Sequence, residues 1–432
     1  MTFEIKGQSQ YYKFPIVENG VYQIDNQLAQ SLGFESIDAI GIFGHPGKLP
    51  QKLDSINLEL NQVPTQIRDN KLYFFLEGPH TTYFDEGEFM LNYNHYADTL
   101  YYLIGPKIHN KFISEPEAIV NSTEVDKVLE VQAFKWYEAN MLNSGRDWYS
   151  AQIGNGISRS INFTIKNTPA AEAELTVKAI NSSLSTASFQ FQFAGEEVGS
   201  LSLPSFPNTT YGVKGREATF NNVVHTKAGE SQFTATFQTN DLNGSGHLDH
   251  VLLSVPVFTD KLKAGVYFAS ELGVLAAKND LACWLVTDFY NVKVLDKNPV
   301  KPGDKLVAFN PSSTPSLNGI LPVNINLREP KKASLFIITT SQFSAQANRL
   351  AQHKNSMGIS TEVIDLSDIY NSFSYGTPDV VGIRNFLAYH YHKTAQLNNV
   401  LFLGKGTFDY KNKLGGRPNI VPTYSSRNSL NP

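Results

Sequence analysis

The sequence predicts a multidomain, mainly β protein with an antiparallel sandwich of the jelly-roll type, followed by the first half of an α/β domain built on a parallel sheet. Aromatic residues make up 12% of the 432 residues and charged residues only 18%, against about 25% charged in an average soluble domain. This bias favours pleated, half-buried surfaces. Most of the chain consists of short segments that alternate apolar and polar residues. Near residue 330 the pattern changes to continuous apolar runs separated by helical stretches.

The chain before residue 331 divides into three predicted β-rich units. Residues 1–118 form the first, with one helix over 25–32 that ends at Gly33, because glycine readily adopts the left-handed conformation that terminates helices. Residues 119–272 form the sandwich, and residues 273–330 form a β-rich connecting segment. Strict alternation of apolar and polar residues predicts the strands of the sandwich, which include 161–165, 175–177, 189–193 and 233–237.

Residues 331–432 are predicted to form the first part of the α/β domain. Two continuous apolar runs, 335–338 and 400–403, predict strands buried on both faces. Residues 361–366 are predicted to form a further strand between them in the sequence. A helix that ends at Gly358 separates the first two strands. A second helix is predicted to begin with Thr377 as its N-cap and Pro378 at its first helical position. The resulting βαβαβ order, with right-handed crossovers, is half of an open parallel sheet.

Composition excludes several classes of function. The chain has 36 basic and 40 acidic residues, so no strongly basic face for nucleic acid is expected. A single cysteine excludes a disulfide framework and a multi-thiolate metal site within this chain. The apolar runs are far too short to cross a bilayer as helices. No cofactor is expected.

The loop after the third predicted strand is the candidate site region, because open α/β sheets bind ligands at the carboxyl ends of their strands. Gly404, Lys405 and Asp409 lie in this loop and are predicted to be adjacent to a site, without an assigned catalytic role. The run from Gly404 to Thr407 is similar to a phosphate-binding loop. It lacks the earlier glycine and the following helix of such loops, so nucleotide binding is not favoured.

The cysteine and the histidines give no catalytic pattern on their own. Cys283 lies in an apolar, strand-like stretch without a basic neighbour, which predicts a buried structural thiol. His390 and His392 are two residues apart on a predicted helix, so they point to different faces, and both are predicted to be solvated. His247 and His250 fall in a predicted strand, on opposite faces.

The α/β part resembles the start of the catalytic domain of gingipain-type cysteine peptidases, a caspase-like fold. The segments that carry this resemblance occur in the same order as in that family: Leu335-Phe336-Ile337-Ile338-Thr339, Met357-Gly358-Ile359, Val363-Ile364-Asp365, Asp368-Ile369-Tyr370, Ile383-Arg384-Asn385-Phe386-Leu387, the strand and glycine over 400–404, and Val421-Pro422-Thr423-Tyr424.

The upstream region is similar to the PorU-like sortases of the bacterial type IX secretion system. The similar segments are individually short and together extend over nearly the whole chain: 20–24, 42–50, 92–98 with Tyr101 and Tyr102, 144–149, 284–288 and 324–327.

The resemblance implies an exported cysteine endopeptidase with a histidine–cysteine dyad. Such an enzyme removes the carboxyl-terminal sorting domain of secreted cargo and helps to attach the cargo at the cell surface. Its expected partners are protein substrates and other components of the secretion system, with peripheral association at the outer membrane. Lys405 departs from the acidic residue that related peptidases often carry after the glycine. The family's Gly-His-Gly motif and nucleophilic cysteine are expected beyond Tyr424, so this chain contains no catalytic residue and is expected to be inactive alone.

Two functions remain open from the sequence. The first is a truncated peptidase or sortase, with the accessory β-domains and the first half of the catalytic domain present and with its signal peptide expected to have been removed. The second is a non-enzymatic surface module whose β-domains bind carbohydrate or a secretion partner. Trp136, Tyr137, Trp148 and Tyr149 could form a sugar platform in the second case, although core packing is the favoured use of these aromatic residues.

Overall fold

The computed structural model describes residues 11–53, 58–115, 123–209, 212–275, 280–295 and 299–426. Most of their strands belong to antiparallel sheets, and one parallel sheet follows these. The predicted fold class, mainly β and then α/β, is therefore confirmed.

The N-terminal region contains small antiparallel sheets and one short helix. Its strands are β1 (Tyr11–Ile16), β2 (Gly20–Asp25), β3 (Ile40–Phe43), β4 (Gln66–Arg68), β5 (Lys71–Leu76), β6 (His80–Asp85), β7 (Glu88–Tyr93) and β8 (Leu100–Pro106). The predicted helix is present as α1 (Asn26–Ser31). Asp25 caps it by accepting a hydrogen bond from the amide of Leu28 at 2.8 Å, and Gly33 follows it with a φ of +84°.

Two antiparallel sheets pack face to face to form the predicted sandwich. The strands are β9 (Lys127–Lys135), β10 (Ile153–Gly154), β11 (Ser158–Ile165), β12 (Ala173–Ser182), β13 (Ala187–Phe193), β14 (Glu196–Leu203), β15 (Arg216–Val224), β16 (Gly229–Thr239) and β17 (Ser245–Phe258). The smaller sheet has the order β11-β16-β13-β14, and the larger begins β15-β12-β17-β9. On β13 the phenylalanines 189, 191 and 193 are buried and the intervening glutamines are exposed, as the alternation predicts.

The following strands connect the sandwich to the N-terminal region. They are β18 (Gly265–Ala269), β19 (Gly273–Val274), β20 (Ala282–Leu285), β21 (Lys293–Val294), β22 (Pro299–Val300), β23 (Lys305–Phe309) and β24 (Leu321–Val323). β18, β23, β20 and β21 extend the larger sheet of the sandwich, whereas β24 pairs with β1. The predicted domain boundaries at 118, 272 and 330 stay predictions.

The α/β part has the predicted βαβαβ order with one additional helix. Its elements are β25 (Leu335–Thr339), α2 (Ser344–Ser356), β26 (Thr361–Asp365), α3 (Leu366–Phe373), α4 (Val380–Thr394) and β27 (Asn399–Phe402). The strands form a parallel sheet in the order β26-β25-β27. Short 3₁₀ helices occur here and upstream: Ile37–Ala39, Thr259–Lys261, Pro311–Ser313, Asn326–Arg328 and Ser341–Phe343.

The predicted N-cap of α4 was wrong by two residues. Asp379, not Thr377, is the cap, and its carboxylate accepts a hydrogen bond from the amide of Val381 at 2.8 Å. The backbone is still extended at Asp379, with φ −147° and ψ 130°, so the helix begins at Val380. The Thr377 hydroxyl instead accepts a hydrogen bond from the amide of Tyr101 at 2.8 Å, which ties α4 to the N-terminal region.

The α/β part packs closely on the N-terminal region. The Arg384 guanidinium donates hydrogen bonds to the backbone oxygens of Pro50 and Gln51. Lys13 donates to the side-chain oxygen of Asn371 at 3.1 Å. An apolar cluster is shared across this contact, formed by Tyr11, Phe43, Leu49, Tyr96, Leu103, Ile325, Tyr375, Val380 and Val381.

Candidate functional site

The carboxyl ends of the three parallel strands meet at one edge of the sheet, where α/β proteins bind ligands. A cavity of about 450 Å³ lies there. The segments that follow β25 and β26 line one side of it, the start of α4 lines another, and the loop after β27 closes it with Tyr410, Asn412 and residues 418–422. The N-terminal region contributes Tyr96. The cavity is therefore built from two regions that are far apart in sequence.

Asp379 is the buried acidic group of this cavity. Its side chain is 2% exposed, and burial raises the pKa of its carboxyl to about 7. The amides of Val381 and Leu49, and more weakly the charges of Arg384 and Arg146, oppose that rise. A carboxyl with this pKa exchanges a proton near neutral pH, which suits proton transfer to a bound ligand. The same carboxyl caps α4, so it also has a structural role.

A cationic and aromatic wall faces Asp379. Arg146 is buried and donates hydrogen bonds to the hydroxyl of Tyr96 at 3.1 Å and to the side chain of Gln51 at 3.0 Å. The rings of Tyr96 and Tyr410 meet edge to face, with centroids 4.8 Å apart. The Arg146 guanidinium also lies 5.2 Å from the ring centroid of Tyr424. This wall can hydrogen-bond a polar ligand and stack against its apolar parts.

The predicted loop residues are close to this edge but do not line the 450 Å³ cavity. Gly404 has a φ of +151°, and a β-carbon there would lie 2.5 Å from a methyl of Ile420, so the loop requires glycine. Lys405 is exposed, and its carbonyl accepts the amide of Ile420 at 2.9 Å. Asp409 is buried, and its carboxylate accepts the amides of Lys413 and Leu414 at 2.9 and 2.8 Å. Asp409 thus braces the loop.

A second cavity, apolar and about 700 Å³ in volume, lies between β27 and α4. Within the described residues β27 is the outer strand of its sheet. Phe402 on this strand is 48% exposed and Tyr391 on α4 is 58% exposed, and both line the cavity. This apolar surface continues directly from the edge where Asp379 lies, through Val380.

Cys283 is buried, as predicted. It lies on β20 in the core of the sandwich, 6% exposed. Burial raises the pKa of its thiol to about 11. None of the residues that line the 450 Å³ cavity is a cysteine or a histidine, so the described residues place no thiol–imidazole pair there.

The prediction that His390 is solvated was wrong. Its side chain is fully buried, accepts a hydrogen bond from the amide of Lys331 at 3.1 Å and bonds the carbonyl of Leu327 at 3.0 Å. Burial lowers its pKa to about 4. The segment from Leu327 to Lys331 crosses α4 on this face, which the helix sequence alone does not reveal. His392 is exposed, as predicted.

The other predicted site candidates have structural places. His247 and His250 both lie on β17, where His247 bonds the carbonyl of Ser150 at 2.9 Å. In the part of the chain that the structure describes, no group of three histidine, cysteine or acidic side chains could hold a metal ion. No helix in those same ranges is long and apolar enough to span a membrane. Trp136, Tyr137, Trp148 and Tyr149 are buried, so the prediction that they pack in cores is confirmed.

Sequence reasoning missed Asp379 as a site residue and recognised Arg146 only within a similar segment. In the sequence Asp379 was identified only as an acidic residue early in a predicted helix, and it follows α3 rather than a strand. Its burial under Leu49 and Tyr96 had no local signal.

Comparison with known proteins agrees with this architecture. The sequence model of peptidase family C25, the gingipain family, matches residues 328–431. A solved structure of dimeric latent PorU from Porphyromonas gingivalis has 20% sequence identity and a TM-score of 0.82. That match covers 98% of this chain and 45% of the PorU chain. The predicted resemblance is confirmed, and the chain has the fold of the corresponding 45% of PorU.

Other comparisons add little. The CBM36-1 domain of a multidomain xylanase from the hindgut metagenome of Trinervitermes trinervoides is 15% identical, covering 31% of this chain and 96% of that domain at a TM-score of 0.20. A family 35 carbohydrate binding module from Clostridium thermocellum is 13% identical, with 31% and 98% covered at 0.19. TM-scores this low support no inference about ligands. The search of curated proteins found no match.

Proposed function

We propose that this chain supplies the upstream β-domains and the first half of the α/β domain of an exported cysteine endopeptidase. The enzyme would cleave the carboxyl-terminal sorting domains of type IX secretion cargo and help to anchor the cargo at the cell surface. Two findings on adjacent parts of the chain together support the proposal. The family C25 model matches the segment that contains the parallel sheet, and the PorU fold extends through the β-domains before it.

The candidate site supports a peptidase in which this chain provides part of the substrate cleft. Cysteine-dependent cleavage needs a thiolate that attacks the scissile carbonyl and an imidazole that first accepts the thiol proton and then protonates the leaving amine. The 450 Å³ cavity has neither group among its lining residues. It has hydroxyl and amide side chains and the buried Asp379. These residues would position the substrate while downstream residues supply the dyad.

The proposal includes a place and partners. The protein would act after export, in peripheral association with the outer membrane, on secreted protein cargo and alongside other components of the secretion system. The alternative of a carbohydrate-binding module is less favoured, because the aromatic side chains proposed as its sugar platform are buried: Trp136 and Tyr137 at 3% and 7% exposure, and Trp148 and Tyr149 at 0% and 1%.

Processing of a cargo protein by the full-length gene product tests the proposal. We expect release of the carboxyl-terminal sorting domain, complete inhibition by iodoacetamide, and loss of cleavage when the downstream nucleophilic cysteine is replaced by alanine. The same cargo without its sorting domain is the matched control and should stay intact. Cleavage that survives alkylation, or no processing by a folded product, would reject the assignment.

A further inference from the structure

Lys411, in the loop after β27, is enclosed by the upstream β regions. Its side chain is 3% exposed. The ammonium donates hydrogen bonds to the carboxylate of Asp98 at 2.5 Å and to the hydroxyl of Tyr93 at 3.0 Å. It lies 4.2 Å from the ring centroid of Tyr93 and 4.7 Å from that of Tyr137. A carboxylate and two aromatic rings therefore surround one cation of the α/β part.

An aromatic stack continues this contact across three regions of the chain. Phe408 of the same loop stacks on Trp148, with ring centroids 5.7 Å apart. Trp148 stacks on Tyr137 at 4.5 Å, and Tyr137 on Tyr93 at 5.6 Å. Tyr93 stacks on His80 at 4.0 Å and 3° between planes. Phe408 and Lys411 thus bind the loop to one continuous surface formed by the sandwich and the N-terminal region.

The enclosure of Lys411 is specific rather than a general apolar contact. Removing an ammonium from water is costly unless its hydrogen bonds are replaced, and burial lowers the pKa of Lys411 to about 8. Hydrogen bonds from His80, Lys411 and Lys413 hold the pKa of Asp98 far below its usual range. A displaced loop would leave Asp98 without its enclosed partner, which favours a single docked position.

The docked position bears directly on the candidate site. Tyr410 and Asn412 are the chain neighbours of Lys411, and both line the 450 Å³ cavity. Within the loop, Asp409 braces the backbone of Lys413 and Leu414. The loop is thus braced internally and attached externally at Lys411, so a change at Lys411 displaces the cavity wall.

We propose that Lys411 and Phe408 are positioning residues that dock the 404–424 loop on the upstream β regions, and that this docking sets the shape of the substrate cleft. The catalytic consequence rests on the proposed function. The docking itself does not depend on the proposed function, and it can be tested on this chain alone. The upstream β-domains would then be a required part of the cleft and not a separable accessory.

Docking should weaken in acid. Burial lowers the pKa of His80, and it lowers that of His95 to about 2. The charge of Lys411 contributes to both depressed values, so both histidines bind protons more readily when the loop is undocked. The undocked state therefore takes up protons first as pH falls, and docking is lost progressively below pH 6.5. Lys411 acts in the same direction at higher pH, since its pKa is lower when docked. The charged and titratable groups that face this junction are Asp98, His80, His95, Tyr93, Tyr137, Lys48, Lys135, Arg146 and Lys413.

Hydrogen exchange of this chain tests the docking. Lys411→Met removes the charge and keeps the aliphatic stem, while Phe408→Ala keeps the charge and removes the stack. Arg417→Met is the matched control, because Arg417 is an exposed cation in the same loop. We expect amide exchange across 406–424 to accelerate at least tenfold in the first two variants at pH 7.5, and to change less than twofold in the control. Protection of β13 should be unchanged in all three, which shows that the sandwich is intact. Equal loop protection in Lys411→Met, Phe408→Ala and the control would overturn the docking.

Kinetics of the full-length gene product test the positioning role. We expect Lys411→Met to lower kcat at least tenfold with a smaller change in KM, and the acid limb of its pH profile to differ from that of the unaltered enzyme. Arg417→Met should retain the profile. A loosened loop with unchanged kcat and pH profile would overturn positioning while leaving docking in place. A wild-type product without thiol-dependent peptidase activity would reject the proposed function, and hydrogen exchange would still decide the docking.

Discussion

Alkylation of Cys283 tests whether the sandwich core encloses the single thiol of this chain. Cys283 pairs with Ala308 across β20 and β23 and packs in the apolar core cluster. Burial is the only cause of its pKa shift, so no cation or histidine activates it. We expect the native thiol to be inert and the denatured thiol to react freely.

The size of the effect follows from the pKa. The thiol pKa is raised from 9.0 to about 11, and the thiolate is the reactive species. Two pKa units correspond to about a hundredfold lower thiolate fraction at any pH below 9. At pH 8 roughly one thiol in ten would be ionised in the open chain and roughly one in a thousand in the core. Restricted access lowers the rate further, because iodoacetamide reaches a core residue only during local opening.

Mass spectrometry of the labelled chain measures both rates. At pH 8 the native protein should react with iodoacetamide at least a hundredfold more slowly than the same chain in concentrated urea, and the urea sample should label at one site. The chain should show no thiol-dependent peptide hydrolysis, with Cys283→Ala as the matched control. A native rate within tenfold of the denatured rate, or hydrolysis abolished by Cys283→Ala, would refute both the burial and the assignment of the nucleophile to a downstream segment.

Two further predictions concern the α/β part. His390→Ala should lower the free energy of unfolding by about 1–3 kcal/mol, because it leaves the buried amide of Lys331 and carbonyl of Leu327 without partners. His392→Ala, on the exposed face, should lower it by less than about 0.5 kcal/mol. Equal urea midpoints for the two variants would contradict the burial of His390. Asp379→Asn keeps a helix cap but cannot ionise. The folded-state pKa of Asp379 is raised to about 7, so the wild type loses stability as pH rises from about 4 to 7. The free energy of unfolding of the variant should therefore rise relative to that of the wild type by up to about 1.4 kcal/mol per pH unit over that window. A difference that does not change with pH, in urea titrations at pH 4, 5.5 and 7, would contradict the raised pKa.

Local sequence patterns were sufficient to predict buried faces where the pattern of a single strand determines its burial. The alternating phenylalanines of β13 required one buried face, and the apolar run at β25 required cover on two. The same prediction was wrong for β27, where Leu401 and Phe402 are exposed because no strand of the described residues lies beyond it. The start of α4 was misplaced because Thr377 and Asp379 both satisfy the preference for a capping residue. Pro378 does not decide between them, because an extended N-cap residue followed by proline at the first helical position would also fit Thr377. The boundary depends on contacts outside the segment, such as the hydrogen bond from the amide of Tyr101 to the Thr377 hydroxyl.

Burial of side chains between distant segments was not predictable in the same way. The spacing of His390 and His392 correctly placed them on different faces of α4. Which face is covered depends on the segment from Leu327 to Lys331, about sixty residues earlier in the chain. His390 follows Ile383 by seven residues and Phe386 by four, so its spacing places it on the face of α4 that those buried side chains occupy. The segment from Leu327 to Lys331 supplies the hydrogen-bond partners for an imidazole buried there.

The wall of the candidate site also depends on contacts between distant segments, which local sequence patterns do not predict. Strand order alone predicted a candidate site at the carboxyl edge of the sheet, and Gly404 and Asp409 were predicted to lie near that edge. The wall of the cavity depends on Lys411 and Asp98, which are 313 positions apart. A lysine in a polar loop and an aspartate after a hairpin are ordinary surface residues in isolation. Enclosing the Lys411 ammonium is unfavourable unless it meets a partner such as Asp98, whose side chain is 47% exposed. Lys411 is therefore stable in its position only when the β regions and the α/β part are docked. We therefore expect separately expressed α/β residues to keep the sheet β26-β25-β27 while losing the ordered loop, since the sheet is formed by contacts within the segment and the loop position is not.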